Sequence, residues 1–136
     1  SASARATSTA CSGWNRWEGA DLELKPALRA LRQSCGSIAS AIISRDGLVI
    51  AADLPDGVSM DTFSIMCATL IGAASTANSE LRVGTPQSVL VESEDAKMLV
   101  VGAGRKALIV TVLPNRADAA VAKKELLKLA DTIRMI

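Results

Sequence analysis

The chain has 136 residues and a formal net charge of +1, and it is 49% hydrophobic but only 2% aromatic. This length fits one domain with a single core, while the near-neutral charge and the few stacking rings argue against a nucleic-acid binder or a membrane-bound protein. Histidine is absent, which removes the commonest general base and the commonest zinc ligand.

The first residues differ in kind from the rest. Residues 1–20 are rich in Ser, Ala and Thr and contain both tryptophans, Trp14 and Trp17. This composition predicts a flexible tail or a remnant of an expression tag; the alternative is a short docking segment whose indole rings bind a partner. We expect the globular domain to occupy residues 21–136.

Membrane and disulfide signals are weak. No apolar run reaches the length that a bilayer crossing needs, and the start lacks the pattern of a signal peptide. The cysteines Cys11, Cys35 and Cys67 are odd in number and lack CxxC spacing, which is typical of idle thiols in a reducing compartment. The sequence therefore predicts a cytoplasmic protein without membrane insertion.

A short helix and a hairpin come first along the domain. The stretch "PALRALRQSCG" has helical spacing of apolar residues, with Pro26 expected in the first turn and Gly36 as a stop signal. The β-branched runs "SIASAIIS" and "LVIAA" flank Asp46-Gly47, the strongest short-range signal for a hairpin turn.

A long helix is predicted from the segment that follows Ser59, its expected N-cap. Large side chains should face the sheet: Met60, Phe63, Cys67, Leu70, Ala74 and Ala77. A second row contains small residues at helical spacing: Ala68, Gly72, Ser75 and Ser79. That row either permits close approach of another backbone or is an exposed surface without a function.

Three further strands and a last helix complete the pattern. The runs "QSVLVES", "KMLVVGAG" and "ALIVTVL" read as strands, and because the glycines of "VGAGRKA" precede a strand, they indicate a hairpin turn rather than a phosphate cradle. Asn115 is expected to cap the last helix. The sequence thus predicts an α+β fold of order α-β-β-α-β-β-β-α, with a five-stranded, mostly antiparallel sheet and helices on both faces.

Candidate sites are few. The carboxylates Asp46, Asp53 and Asp56 lie in turn sequences that favour Asp and Gly for backbone reasons, and the spacing of a calcium loop is not met. We predict no catalytic residue, no cofactor and no metal site. Four charged residues at hairpin tips are candidates for contact with a partner: Arg45, Asp46, Glu94 and Asp95.

The motifs "GSIASAIISRDGLVIAADLP" and "SVLVESEDAKMLVVGAGRKALIVTVLPN", with the helix between them, resemble the Roadblock/dynein light chain family. The resemblance covers residues from about 22 to 136. It implies a homodimer in which the long central helices and the third strands of two subunits pair into one continuous sheet. The implied interface residues are Ala68, Gly72, Ser75, Ser79, Ser88, Val89, Leu90, Val91 and Glu92.

The resemblance also implies a function. Members bind or regulate Ras-like small GTPases, or serve as adaptors, and lack a nucleotide site of their own. We therefore expect a non-enzymatic, homodimeric regulator or scaffold for a Ras-like GTPase; the alternatives are an adaptor in a motor or signalling complex without GTPase contact and a small-molecule sensor around Asp46 to Asp56. One departure is "NRADAAVAKKE", where family members often carry Gly-Leu near the start of the last helix.

Overall fold

The computed structural model describes residues 20–134, with side chains described over residues 24–133. The predicted tail with Trp14 and Trp17 lies outside the described residues. The elements are α1 (Ala20–Cys35), β1 (Ala39–Ser44), β2 (Val49–Asp53), α2 (Met60–Leu81), β3 (Ser88–Glu92), β4 (Ala96–Ala103), β5 (Ala107–Pro114) and α3 (Ala119–Arg134). This is the predicted order, so the fold class is confirmed.

The five strands form one sheet of order β2-β1-β5-β4-β3. All neighbouring strands are antiparallel. The strands β1 and β5 therefore lie in the middle, while β2 and β3 are the two edges. None of the three helices described between residues 20 and 134 has the length and apolar content needed to cross a membrane.

The sheet is covered on both faces because its central strands are apolar on both faces. Successive residues of a strand point to opposite sides, so Ile42 and Ile109 pack with Leu28 of α1 and Leu126 of α3. On the opposite side, Ile43 packs with residues of α2. These two cores explain why the strand sequences read as continuous apolar runs.

The first helix is longer than the sequence pattern indicates. It begins at Ala20 and places Pro26 in its interior, so the expectation that Pro26 lies in the first turn is wrong. Proline inside a helix costs about 3 kcal/mol. The added turns bring Leu24 into the core at 2% exposure, and burying a leucine contributes about 1.5 to 3 kcal/mol, which offsets much of that cost.

The last helix is capped by a different residue from the one expected. The Asp118 side chain accepts a hydrogen bond from the backbone N–H of Ala120 at 2.9 Å, directly before the first residue of α3. The Asn115 side chain instead donates to the backbone carbonyl of Glu94. Asn115 thus ties the β3–β4 turn to the end of β5, and the expectation that it caps α3 is wrong.

Candidate protein-interaction surface

The helix α2 is seated on the first hairpin. Ser59 caps it by accepting a hydrogen bond from the backbone N–H of Thr62 at 3.3 Å. The predicted Asp46-Gly47 turn is confirmed, with Gly47 at φ +94° and its N–H donating to the carbonyl of Ser44 at 3.0 Å. A Cβ atom on Gly47 would lie only 3.1 Å from the Cα of Ile65, so the turn and the helix are in direct contact.

The middle turns of α2 cover the sheet. Its buried residues are Ser64, Cys67 and Ile71. Met60 is 48% exposed and Ala77 is also exposed, so the expected sheet-facing row is wrong at both ends. Met60 is the first residue of the helix and lies outside the second core, whereas at the other end the partly buried side passes through Ser75 and Asn78 instead of Ala77.

The opposite side of α2 is apolar and exposed, and sequence reasoning missed it. Ile65 and Met66 are 48% and 57% exposed. We call the side formed by Ile65, Met66, Thr69, Gly72, Ala73 and Thr76 the outer face of α2. The hydroxyls of Thr69 and Thr76 donate to the helix carbonyls of Ile65 and Gly72 at 2.8 and 3.1 Å, so neither polar group on this face needs a further partner. The available signal was a pair of large apolar residues outside the row expected on the sheet.

The predicted row of small residues runs along the flank of α2, and of its four members only Gly72 also belongs to the outer face. Ala68 packs against the second core and Ser75 is half-buried. Gly72 and Ser79 are exposed. A Cβ atom on Gly72 would meet nothing within 4 Å. The packing of the described chain therefore gives no reason for a glycine at position 72.

The edge strand β3 contains all five residues predicted for strand pairing. It pairs with β4 alone among the described strands, in the register Val89 with Val100 and Leu90 with Leu99. Val89 packs with the α2 side of the sheet, while Leu90 is 43% exposed. The outer edge of β3 thus adjoins α2 and leaves a row of backbone groups available for pairing.

The four charged candidates do not form one site. The Arg45-Asp46 pair follows β1 at the end of the sheet where Ser44 lies opposite Ala107. Glu94 and Asp95 lie at the other end, where Ala96 pairs with Pro114. Asp46, Glu94 and Asp95 are exposed as predicted, whereas Arg45 is half-buried.

Two chemistries can be checked in the described residues, metal binding and attack by a buried thiol. Between residues 20 and 134, no cluster of three or more Cys, Asp or Glu side chains is placed to hold a metal ion. Cys67 is on the buried side of α2, with its Sγ 3.9 Å from the Sδ of Met98 in β4. Burial raises the pKa of the Cys67 thiol to about 11, which suppresses the thiolate that a nucleophile requires.

The sheet order, the two cores and the single long helix on one face define a small α+β domain with an exposed helix face beside an open strand edge. The Roadblock/LC7 domain matches residues 27–113. The chain belongs to the Roadblock/LC7 family. An uncharacterized protein of Methanocaldococcus jannaschii is 35% identical over 83 residues, which is 61% of this chain and 73% of the relative.

Solved structures share the fold. A structure described as MglB with a tetrameric arrangement has a TM-score of 0.78 at 21% identity, covering 85% of this chain and 88% of the other. A Roadblock/LC7 domain from Streptomyces avermitilis has a TM-score of 0.71 at 25% identity, covering 78% and 90%. Myxococcus xanthus MglB has a TM-score of 0.78 at 10% identity, covering 83% and 93%.

Proposed function

We propose that the protein is a non-enzymatic homodimer that binds a Ras-like small GTPase and acts as its regulator or scaffold. The main support for a homodimer is that the outer face of α2 is apolar and exposed. A helix that is apolar on both sides is typical of a helix covered on both sides. The sheet covers one side of α2, and a second copy would cover the other.

The composition of the outer face supports helix–helix contact. Ile65 and Met66 supply apolar area, and apolar area removed from water stabilises an interface by about 25 cal/mol per Å². Gly72 leaves open space beside them. A glycine with no packing role in its own chain allows a neighbouring backbone to come close, and this offsets its cost of about 1 kcal/mol in a helix.

The edge of β3 supports a second line of contact. Its residues Ser88 to Glu92 form a short strand with an open side. Pairing with β3 of a second copy in an antiparallel sense would satisfy these backbone groups and remove an edge that otherwise favours aggregation. Because β3 adjoins α2, one two-fold axis would serve both contacts.

The GTPase proposal rests on membership of the Roadblock/LC7 family and on the scarcity of catalytic groups in the sequence, which contains no histidine. A dimer of this kind would hold the switch regions of the GTPase and shift their population by binding one nucleotide state more tightly. The chemistry of hydrolysis would remain with residues of the GTPase. Asp46, Glu94 and Asp95 are exposed charged groups available for that contact.

The test is a binding measurement with Ras-like GTPases encoded in the same genome, each loaded with GDP or with a non-hydrolysable GTP analogue. A regulator is expected to distinguish the two states by about fivefold or more in affinity. Absent binding to every such GTPase contradicts the proposal and leaves the adaptor function. Equal affinity for both states removes regulation and leaves a scaffold.

A matched pair of variants tests whether the dimer interface lies on α2. Met66→Glu places a charge on the outer face of α2, where Met66 is 57% exposed, and Val121→Glu places the same charge on α3 at a similar exposure of 52%. We expect Met66→Glu to yield a monomer with weakened GTPase binding, and Val121→Glu to remain dimeric. A monomer from both variants would mean that the assignment of the interface to α2 is wrong.

A further inference from the structure

A cavity of about 480 Å³ opens at the end of the sheet where β1 and β4 finish. Its walls come from four parts of the chain: the turn after β1, the loop that leads from α2 into β3, the end of β4 with the turn that follows it, and the exposed side of α3. Pockets that hold small organic ligands have volumes of about 300 to 1,000 Å³. The cavity is therefore large enough for a metabolite-sized molecule.

Arg45 is the charged residue of this cavity. Its side chain passes over Gly102, where a Cβ atom would lie 3.0 Å from the Arg45 Nη2 atom. The same Nη2 donates a hydrogen bond to the backbone carbonyl of Gly104 at 2.7 Å. Gly102 thus leaves the space that the guanidinium occupies, and the bond to Gly104 fixes its position.

The guanidinium is only partly satisfied by the chain. It has five N–H donors, yet its Nε is buried and has no hydrogen-bond partner. Across the side chains described, no carboxylate forms an ion pair with Arg45. Burial lowers the pKa of Arg45, because a cation withdrawn from water without a counter-charge is destabilised.

The rest of the lining suits an organic anion. Thr85 and Gln87 contribute polar groups, and Pro86 and Leu127 contribute apolar walls. None of the residues lining the cavity is acidic. In the adjacent β4–β5 turn, Arg105 and Lys106 are exposed and add positive potential at the mouth.

We propose that this cavity binds a small organic oxyanion, a carboxylate or a phosphate ester, held by the Arg45 guanidinium. The planar fork of an arginine binds two oxygens of either group at once, and the apolar walls would contact the carbon part of the ligand. This site is separate from the outer face of α2 and from the edge of β3. Its existence does not depend on the GTPase proposal.

The experiment uses two probes of different chemistry, citrate for carboxylates and glycerol 3-phosphate for phosphate esters. Each is titrated into the ¹⁵N-labelled protein at constant ionic strength, with sodium chloride as the reference salt. We expect saturable shifts of the Arg45 Nε–Hε signal and of the backbone signals of Gln87 and Gly102. Preference for one probe assigns the ligand class; the absence of saturable shifts with both probes overturns the proposal.

Three variants test whether Arg45 holds the anion. Arg45→Gln should weaken binding about tenfold or more, since it removes a charge-assisted bidentate contact. Arg105→Gln removes a neighbouring exposed cation and should weaken binding less than about twofold. Equal losses in both variants would show that general charge attraction, not this cavity, binds the anion. Gly102→Ala, which displaces the guanidinium while keeping its charge, should also weaken binding, and unchanged affinity there contradicts the proposed position.

Discussion

The Cα atom of Ile65 lies 3.1 Å from the point where Gly47 would carry a Cβ atom. The turn of the first hairpin and the second turn of α2 therefore touch through their backbones. Gly47 also has a φ of +94°, so two independent reasons require glycine there. The contact fixes the position of α2 at the end of the first hairpin, and Ile65 takes part in it although the residue is 48% exposed.

This contact predicts an unusually large cost for Gly47→Ala. Positive φ alone costs a non-glycine residue about 1 to 2 kcal/mol, and the clash with Ile65 adds a similar amount, for a total of about 3 kcal/mol. The control is Gly57→Ala, because Gly57 has a φ of +89° but no atom within 4 Å of its Cβ position. Urea unfolding of both variants measures the difference, and equal losses would show that the contact with Ile65 adds no strain.

The ion pair between α1 and the edge strand β2 should contribute modestly. Arg32 Nε donates to Asp53 Oδ2 at 3.0 Å, and Nη2 donates to Oδ1. Because the pair is bidentate and the Asp53 side chain is 11% exposed, while that of Arg32 is 58% exposed, we expect Asp53→Asn to lower the free energy of unfolding by about 1 kcal/mol. Glu125→Gln, which breaks a single surface contact with Lys128 at 3.4 Å, should cost less still. A reversed order of the two losses in urea unfolding would contradict this view.

The cap of α3 gives a paired test of side-chain roles. Asp118→Ala removes the acceptor of the Ala120 N–H and should cost about 1 kcal/mol of stability. Asn115→Ala removes a bond to the Glu94 carbonyl and should leave the helical signal of α3 unchanged. Circular dichroism and backbone chemical shifts distinguish the two. If α3 frays in Asn115→Ala, then Asn115 caps the helix as the sequence predicts, and the assignment of the cap to Asp118 is wrong.

The buried thiol of Cys67 makes stability depend on pH in the alkaline range. Its pKa is about 11 in the folded chain and 9.0 ordinarily, so the unfolded chain loses this proton first. The contribution is full below pH 9 and falls as pH rises towards 11, by on the order of 2 kcal/mol. Under reducing conditions Cys67→Ala should lose less stability than the wild type between pH 8 and pH 10.5. Equal losses of stability in Cys67→Ala and the wild type would show that the Cys67 thiol does not cause the pH dependence.

The fold was predictable because its signals are local and periodic. The Asp46-Gly47 turn, the Ser59 cap and the strand runs all depend on neighbours in sequence. Errors arose where a distant contact decides the outcome. Pro26 lies inside α1 because Leu24 reaches the core, and Asn115 is diverted to a carbonyl in the β3–β4 turn.

The candidate surfaces were less predictable for the same reason. Neither the exposure of Ile65 and Met66 nor the partial burial of Ala68 follows from helical spacing alone, because the sheet fixes which side of α2 is covered. Arg45 was expected at an exposed hairpin tip. Its position over Gly102 depends on strands that lie far apart in sequence, so the cavity had no sequence signal.

The central claim is that two copies associate through α2 and β3, and Gly72→Leu tests it most directly. A Cβ atom at position 72 would meet nothing within 4 Å, and leucine is a better helix former than glycine, so we expect the monomer to fold at least as stably. The matched control is Ala120→Leu, which adds a leucine at an exposed position of α3. By light scattering we predict a wild-type and control mass of twice 14.1 kDa and a Gly72→Leu mass of 14.1 kDa. A wild-type monomer, or a Gly72→Leu variant that stays dimeric, would contradict the account.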